Sequence, residues 1–457
     1  MNRSLTTVSL ILCLTGNSLA QGTGVLTMED CRRLALEHNL DIAARQAATE
    51  ASKYVRRSVK ARFLPEFTFS ATGFYSSADG QLKVQGGHLP LFQPDAGTGQ
   101  LLPMDGFAYF PGLTLDYRVG TMAMAGLGVE QPVYMGGRIK AAYRLAKIGE
   151  EVALWEERQT TADVVERTDK AYIQLVKAGE MMRVAIRFHT LLDELYRRVE
   201  RAYNRGMKPK NEVLKVRVRL DESSLALRRA ENARRLAAMN LCHYIGYPLR
   251  TEVQVADSLP PFRPAGFPDS LFSIEARPEY VLLDRQEEAA RQQVQLVRGE
   301  RLPQVGIRGG YNYLYGLEVD DEPIFNKGSF SVMMHVSFPL YHFGEKANRV
   351  KAAQARLHSL VLTRESKNGL LQMELVQALN EWEETRMEQD MAVQALRQAE
   401  ENLRVSTRQY DVGLEPLSDN LEAHLLWQQA QSTVVESRYN HYLAWVHLQK
   451  VTGQLGY

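Results

Sequence analysis

The side chains able to do chemistry are scattered along this chain. Its ten histidines form no H-E-x-x-H pair, no Gly-x-Ser-x-Gly elbow frames a nucleophile, and Gly136-Gly137-Arg138 lacks the Lys-Ser/Thr of a phosphate-binding loop. His441 and His447 read as packing or surface residues. Met122, Met124, Met333 and Met334 offer soft-metal donors but fit strand packing better. Asp320-Asp321-Glu322 could attract Ca²⁺ and reads more simply as a solvated loop. There is no C-x-x-C pattern; Cys31 and Cys242 read as buried thiols, with one bond between them as the alternative in an oxidising compartment. What remains is Asp419 with Glu422, three residues apart and so on one helix face. No catalytic centre, metal or cofactor is expected.

Those two carboxylates lie just past a chain reversal that occurs twice. Tyr203-Asn204-Arg205-Gly206-Met207-Lys208-Pro209 and Tyr410-Asp411-Val412-Gly413-Leu414-Glu415-Pro416 share the frame Y-x-x-G-x-x-P, each inside a long helical pattern. The Gly suits the left-handed position that ends one helix, and the Pro suits the first turn of the next. The two frames are 207 residues apart, as are Pro132 and Pro339, and Gly246 and Gly453. Upstream, Leu64-Pro65 and Leu302-Pro303 are 238 apart, so a 31-residue insertion falls between Pro65 and Pro132. The chain is an internal duplication. Glu212 is then the counterpart of Asp419, and Lys215 that of Glu422.

The elements that position the tips follow in order. Residues 1–20 read as a secretory signal, with Arg3, an apolar stretch from Val8 to Leu14 and Ser18-Leu19-Ala20 as cleavage site. The first repeat, 21–248, opens with a helix capped by Thr27 that runs to about Ala61. A strand pair follows, at about 64–75 and 121–131, with residues 76–112 as a long exposed loop rich in Gly, Pro and Asp. A Pro-rich linker, 249–271, leads to the second repeat, 272–457, whose strands are expected at about 303–316 and 329–339. Their alternation and aromatic ends suit membrane β-strands of about 9–11 residues.

From Gly137 to Tyr203 there is no proline, and Val165, Thr168, Tyr172, Leu175, Met182 and Ile186 keep coiled-coil spacing; Leu396, Leu403 and Tyr410 do so in the twin helix. At about 1.5 Å per residue each helix would reach roughly 100 Å. The fold class is therefore mostly α with a small β part. Four strands per chain cannot close a barrel, and open edges cannot face lipid. Three copies would make a twelve-stranded ring. The 55 basic residues are offset by 54 acidic ones, which gives no nucleic-acid surface.

Together these residues resemble the TolC family of outer-membrane efflux channels, over essentially the whole mature chain. The resemblance is carried by Leu26-Thr27-x-Glu29, Ala35-Leu36-x-x-Asn39, Arg62-Phe63-Leu64-Pro65, Arg301-Leu302-Pro303, Gln131-Pro132, Phe338-Pro339 and the two tips. It implies a homotrimer, with a twelve-stranded β-barrel in outer-membrane lipid continued by a periplasmic α-helical barrel. It implies passive export of substrates handed over by an inner-membrane pump through a periplasmic adaptor, or membrane fusion protein. It further implies that Asp419, Glu422 and Glu212 stand at the periplasmic pore constriction, and that Gly206, Met207, Pro209, Gly413, Leu414 and Pro416 are adaptor-contact positions. Tyr410 stands where some members tie the tips shut. Glu415 replaces their arginine, so Lys208 or Lys210 is expected to pair with it. The competing reading is a soluble periplasmic coiled-coil scaffold or pump adaptor.

Overall fold

A computed structural model describes residues 25–256, 259, 274–341 and 343–455. The signal segment, most of the Pro-rich linker and His342 lie outside the described residues. The chain forms two compact units, one from Met1–Ala47, Trp155–Val281 and Lys367–Tyr457, the other from Ala48–Leu154 and Leu282–Ser366.

The helices carry the duplication residue for residue. Helix α3 (Arg138–Asn204) and helix α4 (Lys210–Tyr244) start and stop 207 positions before α6 (Glu345–Asp411) and α7 (Leu417–Val451). Each of α4 and α7 ends on a left-handed glycine, Gly246 or Gly453, at the same offset. Among the described residues no helix is long and apolar enough to cross a membrane.

In the first unit, α1 (Met28–His38) starts at Thr27, whose hydroxyl accepts from the Asp30 N–H while Asp30 reaches back to the Thr27 N–H. That capping box satisfies two amides that would otherwise lack partners. The expected continuous helix to Ala61 is in fact two. Asn39 leaves the helical region at ψ 126°, donates from its side chain to the Tyr244 carbonyl, and accepts the Asp41 N–H to start α2 (Leu40–Ala61). A side chain that caps in both directions outweighs the helical period on either side. Arg32 grips the buried Asp169 with two bonds of 2.7 and 2.5 Å, fixing α1 on α3. Cys31, Leu34, Tyr172, Ile173, Leu241 and Tyr439 form the core there, and both cysteines are buried free thiols.

The α3 seam holds at Val165, Thr168, Tyr172 and Leu175 and then departs from the heptad count. Ile186 is exposed, and the buried line instead steps through Val176, Glu180, Val184 and Phe188 before Leu192, Leu195 and Val199. Each four-residue step turns the contact line about 40° around the helix.

The second unit holds an antiparallel sheet in the order β1-β4-β5-β6, made of Glu66–Val84, Leu113–Met135, Gln304–Val319 and Glu322–Ser337. All four strands are longer than the sequence suggested. The stretch 76–112 is not a loop: it extends β1 and β4 and adds a hairpin of β2 (Gly87–Pro94) with β3 (Leu101–Phe110). Apolar residues on both of that hairpin's faces hide the alternation by which a strand is read.

The cross-strand register sorts the main sheet into two faces. Phe67, Leu127, Tyr311, Phe330 and Val332 share one, and Thr68, Gly128, Arg308, Asn312 and Ser331 the other, where Arg308 pairs with Glu130 at 2.6 Å. Strands β5 and β6 join through Asp320 and Asp321, both at positive φ in a two-residue turn. The Asp320 carboxylate accepts the Asp116 N–H at 3.0 Å, so this acidic run is occupied with turn formation. Where α3 begins, Gly136 touches Gly299, the last residue of α5 (Pro278–Gly299): a Cβ on Gly136 would lie 2.3 Å from the Gly299 carbonyl oxygen.

Candidate functional site: the paired hairpin tips

Both reversals close in the same way. At the first, the Gly206 N–H donates to the Tyr203 carbonyl (2.8 Å) and the Met207 N–H to Ala202 (2.9 Å); at the second, Gly413 donates to Tyr410 (3.1 Å) and Leu414 to Gln409 (2.8 Å). Gly206 and Gly413 sit at φ +75° and +78° with open space where a Cβ would be, so backbone conformation alone demands glycine. Pro209 and Pro416 are the N-caps of α4 and α7, one residue earlier than the first-turn position expected, with extended ψ of 154° and 155°. Met207 and Leu414 stand out from the tips at 71% and 81% exposure.

The two hairpins pack on each other through Phe188, Leu192, Val216, Tyr410, Leu417 and Trp427. Polar contacts cross the same seam. The buried Tyr410 hydroxyl donates to Glu212 Oε2 at 3.1 Å, and Lys208 Nζ lies 3.5 Å from that oxygen and 4.5 Å from the Tyr410 ring centre. Burial, and then the Glu212 charge, push the Tyr410 phenol above its ordinary value, so it keeps the proton it donates. Arg198 adds a second cross-hairpin link to Asp411, with bonds of 2.9 and 3.1 Å.

The expected partner of Glu415 is corrected. Glu415 accepts from Ser406 Oγ at 2.5 Å, and Lys208 is taken by Glu212 four residues on; Lys210 is exposed. Glu415 sits on the α6–α7 tip within reach of its own preceding helix, whereas Lys208 opens the turn that leads into Glu212. Glu212, expected beside Asp419 and Glu422, has its carboxylate engaged in the Tyr410 tie.

Asp419 and Glu422 are both exposed, and Asp419 accepts from Ser418 at 2.9 Å. They begin the exposed stripe of α7, which continues through Leu426, Gln429, Thr433 and Glu436 at alternating three- and four-residue steps while the rest of the helix is largely buried. Sequence reasoning missed a buried polar ladder behind them. Asn420 donates to Ser406 at 3.1 Å, and His424, one turn on, is 6% exposed. Desolvation, helped by the Arg198 charge, lowers the His424 pKa to about 4. Polar residues at four-residue spacing in an apolar run were the available signal.

A duplicated pair of long helical hairpins joined to a sheet with one apolar face is the architecture of an outer-membrane channel protein. The chain belongs to the outer membrane efflux protein family, whose profile matches residues 32–247 and 283–454. No curated protein matches the sequence significantly. In fold it is similar to the outer membrane protein VceC of Vibrio cholerae (TM-score 0.75, 16% identity, covering 93% of this chain and 96% of that one). It is also similar to the Campylobacter jejuni CmeC outer membrane channel (0.76, 18%, 100% and 94%) and to the open state of the Neisseria gonorrhoeae MtrE outer membrane channel (0.70, 16%, 93% and 88%). Its place is the outer membrane.

Proposed function

We propose that three copies of this chain form the outer-membrane duct of a tripartite efflux or secretion system, passing substrates passively from an inner-membrane pump and its periplasmic adaptor to the exterior. The observation that carries this reading is the sheet: β1 and β6 are open edges, and its apolar face runs unbroken across four strands. Backbone groups on open edges cannot be left in lipid, so β6 of one copy pairs with β1 of the next until the ring closes. The apolar face then meets lipid and the Arg308–Glu130 face lines a wet lumen.

The helical hairpins continue the ring as a periplasmic tube, and the tips close its end. Tyr410, Glu212 and Lys208 hold the two hairpins of one copy together. Asp419 and Glu422 of three copies converge on the aperture, where their mutual repulsion favours bound cations. Met207 and Leu414 present apolar contacts to the adaptor, with Gly206, Pro209, Gly413 and Pro416 shaping the loops that carry them. The test is direct: detergent-extracted outer-membrane protein should run as a trimer and form cation-preferring pores in planar bilayers. A monomer soluble without detergent and silent in bilayers would refute it.

A further inference from the structure

The insertion in the first repeat does something the ring itself does not require. Beyond Tyr75, at the aromatic end of the apolar face, β1 continues nine residues to Val84, about 30 Å of strand and a little over 20 Å of height at usual barrel tilt. The strands first pass through a charged zone, with Asp79 opposite Arg118 and Asp116 bound to Asp320. Only past that zone does the β2–β3 hairpin begin. Between Val84 and Leu115 the only acidic or basic residues, histidine aside, are Asp95 and Asp105. Asp95 is used in the turn, where its carboxylate accepts from Thr98 at 2.6 Å.

Both faces of the hairpin are apolar. Leu89 pairs with Ala108 on one face and Pro90 with Phe107 on the other, and Phe107 and Leu101 are 68% and 66% exposed. A two-sided apolar hairpin in water, well clear of the bilayer, needs a cover. Pro90, Pro94 and Pro103 remove donors from both of its edges, which disfavours strand addition and leaves contact through the faces. The ladder has a joint at its base. It runs from Val84–Leu113 to Gly87–Phe110 in unchanged register, broken only at Gln85-Gly86 and Pro111-Gly112. There the backbones come so close that a Cβ on Gly86 would lie 2.6 Å from the Gly112 nitrogen.

We propose that the β2–β3 hairpins of three copies bend inward at this glycine joint and pack face to face on the pore axis, plugging the outer mouth. The occupant of each apolar face is the same hairpin in a second copy of the chain. The inference rests on the trimeric ring proposed above, which sets every copy's hairpin at one height around one axis and so supplies a high effective concentration without another partner. Reach suffices: twelve strands about 4.8 Å apart and tilted by about 40° enclose a ring about 25 Å across, and eight residues of β2 extend about 26 Å.

The experiment compares full-length protein with a variant in which residues 85–112 are replaced by Asn-Gly, closing Val84 onto Leu113 with a two-residue turn. Both carry Ser331→Cys on the polar face of β6 as a lumenal reporter; the native cysteines are buried. Intact cells are treated from outside with a bulky polymer-linked maleimide. The trimmed variant should react about tenfold faster or more, since reactivity scales with the fraction of open mouths. In separate full-length protein, Phe107→Cys should form reducible cross-links between copies on oxidation. Equal maleimide rates in two proteins that both run as trimers would overturn the plug while sparing the ring. Labelling of Phe107→Cys by an acyl-chain probe in place of cross-linking would overturn it in favour of lipid. Absence of a trimer in the full-length protein would overturn both readings, and shows on the native gel before any rate is read.

Discussion

Tyr410→Phe isolates one hydroxyl at the seam between the hairpins. The ring stays, so its packing on the seam and the 4.5 Å approach of Lys208 survive, and only the 3.1 Å bond to Glu212 is lost. A hydrogen bond to a charged group contributes about 1.5–3 kcal/mol when well shielded. Glu212 and Lys208 keep 19% and 28% of their side chains in solvent, which lowers the expected loss to about 1 kcal/mol per copy. If the three copies open together, the loss is about 3 kcal/mol, or roughly a hundredfold in the ratio of open to closed tips. Single-channel recording in planar bilayers reads this as open probability. Glu212→Gln in the same background should add little, because the two groups share one interaction. Unchanged open probability in Tyr410→Phe, at unchanged thermal stability, would refute a gating role for the tie.

The remaining expectations are shorter. Asp419→Ala with Glu422→Ala removes six carboxylates from a trimer and should bring the cation-to-anion permeability ratio close to unity, measured as reversal potential in a salt gradient. His424 has a folded pKa of about 4, below its ordinary 6.5, so the unfolded chain binds the proton more readily. Its contribution is complete above about pH 6.5 and is lost as pH falls towards 4, at most about 3 kcal/mol; thermal melts of wild type should show this fall and His424→Leu should lack it. Gly299→Ala forces a Cβ to within 2.5 Å of Arg138 Cγ and 2.6 Å of the Gly136 carbonyl oxygen, and should cost about 1–3 kcal/mol, seen as a lower dissociation temperature of the trimer.

What was legible in the sequence is what depends on neighbours in the chain. The tip glycines and the Thr27 cap each rest on a local rule, and the 207-residue repeat carries the limits of one helical hairpin onto the other. The break at Asn39 was hidden because its cause is the Tyr244 carbonyl, 205 residues away. The hairpin inside 76–112 was hidden because alternation needs a polar side, and this hairpin has none. Glu415 was assigned a lysine by charge alone, whereas the chain reversal brings Ser406, nine residues back on α6, onto its carboxylate. The Ser406, Asn420 and His424 ladder was hidden among ten histidines with no motif, since burial decides its meaning.

Duplication sets one backbone down twice, and side-chain divergence then decides what each copy does with it. Tyr203 and Tyr410 are the same residue in the same frame, yet within one chain Tyr203 is 39% exposed while Tyr410 is 5% exposed, packed in the seam with its hydroxyl on Glu212. The helices that follow have parted in charge as well. Along the exposed stripe of α7 stand Asp419, Glu422 and Glu436 with no base among them, while the same positions on α4 read Glu212, Lys215 and Arg229. Glu212 is withdrawn from that α4 stripe by Tyr410 and Lys208, leaving it basic. A ring built from three such chains would alternate acidic and basic stripes at its narrow end, so its ion preference rests on which helix stands closer to the axis.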